Sequence, residues 1–177
     1  MKLSDKVQQT IFEDYAFFSN FQYGDKSKKE RKKLGQFFTP PEITITMIEM
    51  IDRESLADAK ILDPTCGAGN LLVACILAGA RIENCYGNEF DINILQILHN
   101  RIKKLRDDLY AKNPNDYRII SSKSGGVISD EEISINFHIG DATKKECLVD
   151  FSKEYNDTIG RKYAEAQLAT MTNESVV

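Results

Sequence analysis

Among its 177 residues the chain has no tryptophan, four prolines, four cysteines and two histidines, and the sparse histidines and cysteines argue against particular classes of protein. His99 and His138 stand alone, without a second ligand at metal-binding spacing, so no metal site is expected. Cys66, Cys75, Cys85 and Cys147 form no Cys-x-x-Cys pair; lying in apolar runs, they read as buried free thiols of a reducing cytoplasm. No apolar run approaches the ~18 residues of a membrane span, and Met1-Lys2-Leu3-Ser4-Asp5-Lys6 lacks the apolar stretch of a signal peptide, so a cytoplasmic protein with no membrane partner is expected. A net charge of −4 gives no global attraction to nucleic acid. Two phosphate-binding patterns are missing as well: no Gly-Lys-Ser/Thr follows a glycine loop, and Leu72 stands where a dinucleotide fingerprint has its third glycine.

What is present is ordinary for one globular domain with a real core, 42% hydrophobic and 28% charged. Its organising stretch is Ile61-Leu62-Asp63-Pro64-Thr65-Cys66-Gly67-Ala68-Gly69-Asn70-Leu71-Leu72, an apolar strand running into a glycine turn and then a helix. Two glycines at alternate positions let the backbone pass close to a bound molecule, and the turn leaves the first helix amides unpaired. Asp63 puts a charge at the carboxyl end of the strand, where open α/β sheets bind their ligands. Gly-x-Gly also occurs in tight turns of no function, but here Tyr86-Gly87-Asn88-Glu89-Phe90-Asp91 follows another apolar run. Glu89 lies about 20 residues past the glycines, where nucleotide-binding units place an acid on the ribose hydroxyls. With no third glycine, the pattern favours a smaller, nucleoside-like ligand over a pyrophosphate-bearing one.

These residues carry a resemblance. Asp63-Pro64-Thr65-Cys66-Gly67-Ala68-Gly69-Asn70 is similar to the first S-adenosylmethionine motif of the adenine-N6 DNA methyltransferases. Gly35-Gln36-Phe37-Phe38-Thr39-Pro40-Pro41-Glu42, about 25 residues upstream, resembles the motif that precedes it in that branch, which includes the modification subunits of restriction systems. The resemblance covers residues 34 to 143. It implies S-adenosylmethionine as cofactor, with Phe38, Thr39 and Pro40 at its methionine end and Asp63, Thr65, Gly67, Gly69 and Asn70 in the loop beneath. It also implies Glu89 on the ribose hydroxyls, Phe90 against the adenine, and Asp141 with Ala142 at the adenine amine. Bland readings stand beside these: Phe38-Thr39 as a helix cap with a hydrophobic staple, Phe90 as a core aromatic, Asp141 as a turn residue.

The remaining segments frame that unit. Val7, Ile11, Tyr15 and Phe18 form one apolar stripe on a helix starting at Ser4; its aromatics, Tyr15, Phe17, Phe18, Phe21 and Tyr23, read as packing. Residues 25 to 33 hold six basic side chains against two acidic ones, either a solvated linker or a weak phosphate contact. Thr39-Pro40-Pro41-Glu42 has the spacing of a capping box, opening a helix whose expected buried face is Ile43, Met47, Met50 and Ile51. A helix from Asn70 to Gly79 and a strand from Glu83 to Glu89 complete a parallel strand-helix-strand unit. Residues 91 to 111 read as a long helix with Ile94, Ile97, Leu98, Ile102 and Leu105 inward, and Arg101, Lys103, Lys104 and Arg106 mostly outward. A mobile loop over 113 to 132 surrounds a short expected strand at Tyr117–Ile120, and the alternation from Ile133 to Ile139 reads as a strand leading into Gly140-Asp141-Ala142. The tail is weakly helical over residues 163 to 171.

Beyond that point the resemblance stops. The family's Asn-Pro-Pro-aromatic loop, whose acceptors hold the target adenine amine while the aromatic stacks on the flipped base, is not in these 177 residues; the only Asn-Pro is Asn113-Pro114. The expectation is therefore an α/β fold, a truncated doubly wound, Rossmann-like methyltransferase parallel sheet of about four strands with an N-terminal helix. Residues 1–33 form the helix and basic linker, and 34–177 the cofactor-binding domain. The function expected is a partial or split site-specific DNA (adenine-N6) methyltransferase of a restriction-modification or phage system, with no catalytic residue of its own. The alternative is an inactive binding or regulatory protein of decoy or anti-restriction type. Its expected partners are DNA, held weakly, and a second subunit or another copy of the chain.

Overall fold

The structure, a computed structural model, describes residues 2–23, 38–51 and 56–144. The basic run, the boundary near residue 33, Cys147 and the expected tail helix lie outside the described residues. The elements in chain order are α1 (Asp5–Tyr23), α2 (Pro41–Glu49), β1 (Ile61–Asp63), α3 (Asn70–Ala78), a 3-10 turn (Ile82–Asn84), β2 (Cys85–Glu89), α4 (Ile92–Lys112), α5 (Asp130–Ile135) and β3 (Phe137–Ile139). The architecture is α/β with a parallel sheet in the order β1-β2-β3.

The sheet register fixes where ligand-binding residues can collect. Asp63 pairs across to Gly87, and Glu89 to Ile139, so all three strands run the same way and end at one edge. Asp63, Glu89 and the Gly140-Asp141 turn therefore share the carboxyl edge, where parallel sheets bind ligands. Among the described residues α3 is the most completely enclosed helix. Leu72, Val73, Ala74, Cys75, Ile76 and Ala78 are buried around its circumference, and it packs on α1 and α2 as well as on the sheet. A helix apolar all round has to lie inside the fold. The α1 stripe behaves as its spacing implies, with Ile11 and Phe18 buried and Val7 and Tyr15 half-buried.

Three parts of the sequence reading are corrected. First, the described residues form three strands, not four: Tyr117–Ile120 is turn, touching Val127 through one isolated antiparallel bridge from Ile120. Its backbone is committed locally, with the Ile119 N–H on the Asp116 carbonyl at 3.1 Å and the Asp116 carboxylate holding Arg118. The surrounding loop is pinned by Ile119 and Ile128, both fully buried.

Second, the alternating run from Ile133 is half helix. Ser129 and Glu132 form a complete capping box that opens α5, so Ile133 is buried and Ile135 is 63% exposed; only Phe137–Ile139 is strand.

Third, α2 buries the opposite face from the one expected. Pro41, Thr44, Ile45 and Ile48 pack on α1 and α3, while Ile43, Met47 and Met50 are exposed; of the expected face only Ile51, just beyond the helix, packs against the core. Nor does the Thr39 side chain cap the helix. Pro40 is the capping residue, with no side-chain bond, and Thr44 Oγ1 donates to the Pro40 carbonyl at 3.0 Å.

Candidate functional site

At the carboxyl edge, Phe38, Thr39, Asp63, Thr65, Cys66, Gly67, Asn70 and Leu71 line a cavity of about 140 Å³. Two segments distant in sequence thus meet as walls of one pocket: the Phe38-Thr39 pair and the glycine turn. Asp63 sits in it with Oδ1 accepting from the Thr65 N–H at 3.1 Å. Burial pushes the Asp63 carboxyl above its ordinary range; the Thr65 N–H opposes that shift and the Glu89 charge adds to it. Burial, reinforced by Asp63 and Glu89, drives the Cys66 thiol far up, so a thiolate nucleophile is not available there.

The two glycines of the turn have different reasons to be glycine. Both carry positive φ, +53° at Gly67 and +80° at Gly69. At Gly67 a Cβ would come within 3.1 Å of the Phe38 ring, so this glycine lets the aromatic close over the turn. At Gly69 a Cβ would collide with Leu98 of α4, which makes it a packing glycine that seats the turn on the helix behind it. The sequence reading gave both to the ligand; only Gly67 lines the cavity.

Glu89, at the end of β2, joins the halves of the site. Its Oε2 accepts from the Gly67 N–H at 3.0 Å and its Oε1 from the Asp91 N–H at 2.9 Å. An ionised carboxylate offers about four lone-pair sites, so after those bonds each oxygen retains an acceptor. Phe90 beside it is 73% exposed, which removes the core-aromatic reading and leaves a bare ring at the sheet edge. Asp141 is half-exposed and held as a turn residue, its Oδ1 accepting from the N–H and hydroxyl of Thr143, bonds that keep its carboxyl below the ordinary range. Pro40, Gly69, Glu89, Phe90, Asp141 and Ala142 do not line the cavity itself.

Several residues of the site were not found from the sequence. Cys66 and Leu71 line the cavity. Asn88, fully buried, donates from Nδ2 to the Pro64 carbonyl at 3.2 Å and the Gly140 carbonyl at 2.8 Å, tying the turns after β1 and β3 together across β2. Arg101, expected on a solvated basic face, is 2% exposed. It forms an ion pair with Asp14 of α1, donates to the Ala68 carbonyl at 2.9 Å and to Asn70 Oδ1 at 2.6 Å, and stacks over Phe18 at 5.2 Å. Asn70 in turn donates from Nδ2 to the Thr39 carbonyl at 2.9 Å. Helical position alone could have flagged Arg101, which falls three residues after Leu98 and four before Leu105 on the buried side.

Residues 18–97 match the model of a family described as N-6 DNA Methylase. This part of the chain is N6 DNA methyltransferase-like. The matched stretch contains Phe38, Thr39, Pro40, the glycine turn, Glu89 and Phe90, but neither Asp141 nor Ala142. Two curated relatives agree: the type II methyltransferase M.VspI of Vibrio sp. (strain 343), 32% identical over 79 residues, and the type II methyltransferase M.BsuBI of Bacillus subtilis, 39% identical over 69 residues. The aligned stretches are 45% and 39% of this chain, but only 19% and 13% of the relatives, so the chain spans less than a fifth of the length of the methyltransferases it matches. No solved structure matches the chain. Among the described residues no helix is long and apolar enough to cross a membrane, and no cluster of side chains could hold a metal ion.

Proposed function

We propose that the carboxyl edge of the sheet binds S-adenosylmethionine, and that these residues are the cofactor-binding part of an adenine-N6 DNA methyltransferase-like protein. The observation that carries the reading is Glu89. Its carboxylate is locked by the Gly67 and Asp91 amides with one acceptor spare on each oxygen, the pair of acceptors that the vicinal hydroxyls of a ribose require. The surroundings fit the rest of such a ligand. Phe38 and Thr39 with Asp63, Thr65 and Gly67 form a small acidic pocket for the cationic methionine end, with Pro40 beside them; exposed Phe90 offers a face for the adenine, with Asp141 and Ala142 as its outer contacts. Asn70 lines the same pocket, and Gly69 seats the turn on α4 from behind. When bound, the cofactor supplies an activated methyl group; the chain's own residues hold and orient it.

The acceptors for a target adenine amine are not in these 177 residues, so transfer requires an Asn-Pro-Pro-aromatic loop from elsewhere, together with a DNA-reading element. DNA, contacted weakly through residues 26–33, and a second subunit or copy are the partners in this reading. A purely regulatory binding role is the outcome if no such loop restores transfer.

Equilibrium dialysis with labelled S-adenosylmethionine tests the ligand class. Displacement by S-adenosylhomocysteine but not by NAD or ATP is expected, because the edge has no phosphate cradle. Displacement by NAD or ATP at similar concentrations would overturn the assignment.

A further inference from the structure

We propose that Arg101 is a positioning residue of the cofactor site, which sets the pocket's walls through Asn70 and Ala68 while Asp14 of α1 holds it in place. The inference rests on the reading of the carboxyl edge as a cofactor pocket. Arg101 does not line that cavity, yet its polar contacts run to the glycine turn and the start of α3 and, through Asn70, on to the Phe38-Thr39 segment.

A guanidinium has five N–H donors and no acceptor. Four of Arg101's are engaged: Nε and Nη2 on Asp14 Oδ2, and Nη1 on the Ala68 carbonyl and Asn70 Oδ1. The contact with Ala68 grips the peptide between Gly67 and Gly69, whose left-handed φ values give the turn its shape. The contact with Asn70 does more. Because arginine only donates, it must face the amide oxygen, and this forces the Asn70 amide nitrogen toward the Thr39 carbonyl at 2.9 Å. Asp14, Arg101, Asn70 and Thr39 thus form a relay, buried at Arg101 and Asn70, that crosses from α1 through α4 and α3 to the segment carrying Phe38. Phe38 lies against Gly67, whose N–H is held by Glu89. Loss of the guanidinium therefore releases one wall of the pocket relative to the other without removing an atom that touches ligand. Docking of α1 and binding of the cofactor become coupled through the same arginine.

The test is a double-mutant cycle on the full 177-residue chain, reading S-adenosylmethionine affinity by calorimetry and folding by circular dichroism and melting. Arg101→Gln and Asn70→Ala are each expected to weaken binding about tenfold, and the double variant also about tenfold, because two residues acting through one relay do not add. Independent contributions would multiply to about a hundredfold, and a merely structural arginine would leave affinity unchanged in the folded variant. Either result overturns the proposal. If Arg101→Gln does not fold, Arg101→Lys carries the same cycle: it keeps the charge against Asp14 but not the fork that reaches Ala68 and Asn70. Binding by the wild type with unchanged affinity in folded Arg101→Lys sinks this inference alone, whereas no binding by the wild type sinks the cofactor reading beneath it.

Discussion

Glu89 and Gly67, 22 residues apart, are joined by a 3.0 Å hydrogen bond from the glycine N–H to the carboxylate, so the end of β2 holds the turn that follows β1. One side chain therefore serves both shape and ligand in this account. Glu89→Ala strips the acceptor from the Gly67 and Asp91 amides together, and a half-buried amide left unpaired costs about 1 kcal/mol or more. Urea unfolding should show a loss of about 1–3 kcal/mol, with Glu89→Gln closer to the wild type because an amide oxygen still accepts.

The contact between Gly69 and Leu98 makes a second, sharper prediction. Gly69→Ala puts a side chain into left-handed backbone and into the Leu98 methyl, a strain of about 1–2 kcal/mol from the backbone plus about 1–3 from overpacking. Gly69→Ala should thus be among the most destabilising substitutions in the turn. Adding Leu98→Ala should recover none of the backbone share, and its own cavity of about 2–5 kcal/mol should leave the double variant less stable than the wild type in chemical unfolding.

The pH dependence of Asp63 has a definite sign. Burial raises its carboxyl pKa in the folded chain, so the native state holds the proton more tightly than the unfolded one. Its favourable contribution is full below the unfolded carboxylate pKa and is lost as pH rises through the raised folded value. Asp63→Asn, which keeps the acceptor for the Thr65 N–H, should accordingly melt higher than the wild type at pH 7, with the advantage shrinking toward pH 4. The same variant should bind a cationic ligand more weakly at pH 7. Melting of both proteins across that range checks the sign; a gap that grows as pH falls would contradict it.

The parts of the fold legible in the sequence are those where local chemistry and tertiary role agree. The glycine turn, the apolar α3 and the acid at the end of β2 are such places, because left-handed φ, an all-round apolar helix and a chain reversal each leave an unambiguous pattern. Misreadings came where one pattern served two structures. Ile133 and Ile135 alternate as in a strand, but the Ser129–Glu132 capping box has already committed the backbone to helix. On α2 the stripe of Ile43, Met47 and Met50 is as apolar in pattern as that of Thr44, Ile45 and Ile48, yet only the latter face lies against α1 and α3. Arg101 was hidden for a different reason: a cation on an amphipathic helix reads as solvated, and its partner Asp14 is 87 residues away.

Methyl transfer by the 177 residues alone should not be detectable. An adenine amine is a poor nucleophile, and a missing set of acceptors costs at least the ~10²–10³ in rate that one such contact supplies. Tritiated-methyl incorporation into mixed-sequence DNA should stay at background for the chain and rise only with a partner carrying the Asn-Pro-Pro-aromatic loop. Robust incorporation by the chain alone would mean that another acceptor has taken the role, with Asn113 the first residue to substitute.

The most direct measurement is calorimetric titration of the chain with S-adenosylmethionine, repeated with Glu89→Ala. Saturable one-to-one binding is predicted for the wild type, weakened tenfold or more in the variant, since hydrogen bonds to a carboxylate contribute roughly 1.5–3 kcal/mol. No heat of binding in the wild type, or an unchanged affinity in a Glu89→Ala protein that circular dichroism shows to be folded, would contradict the account.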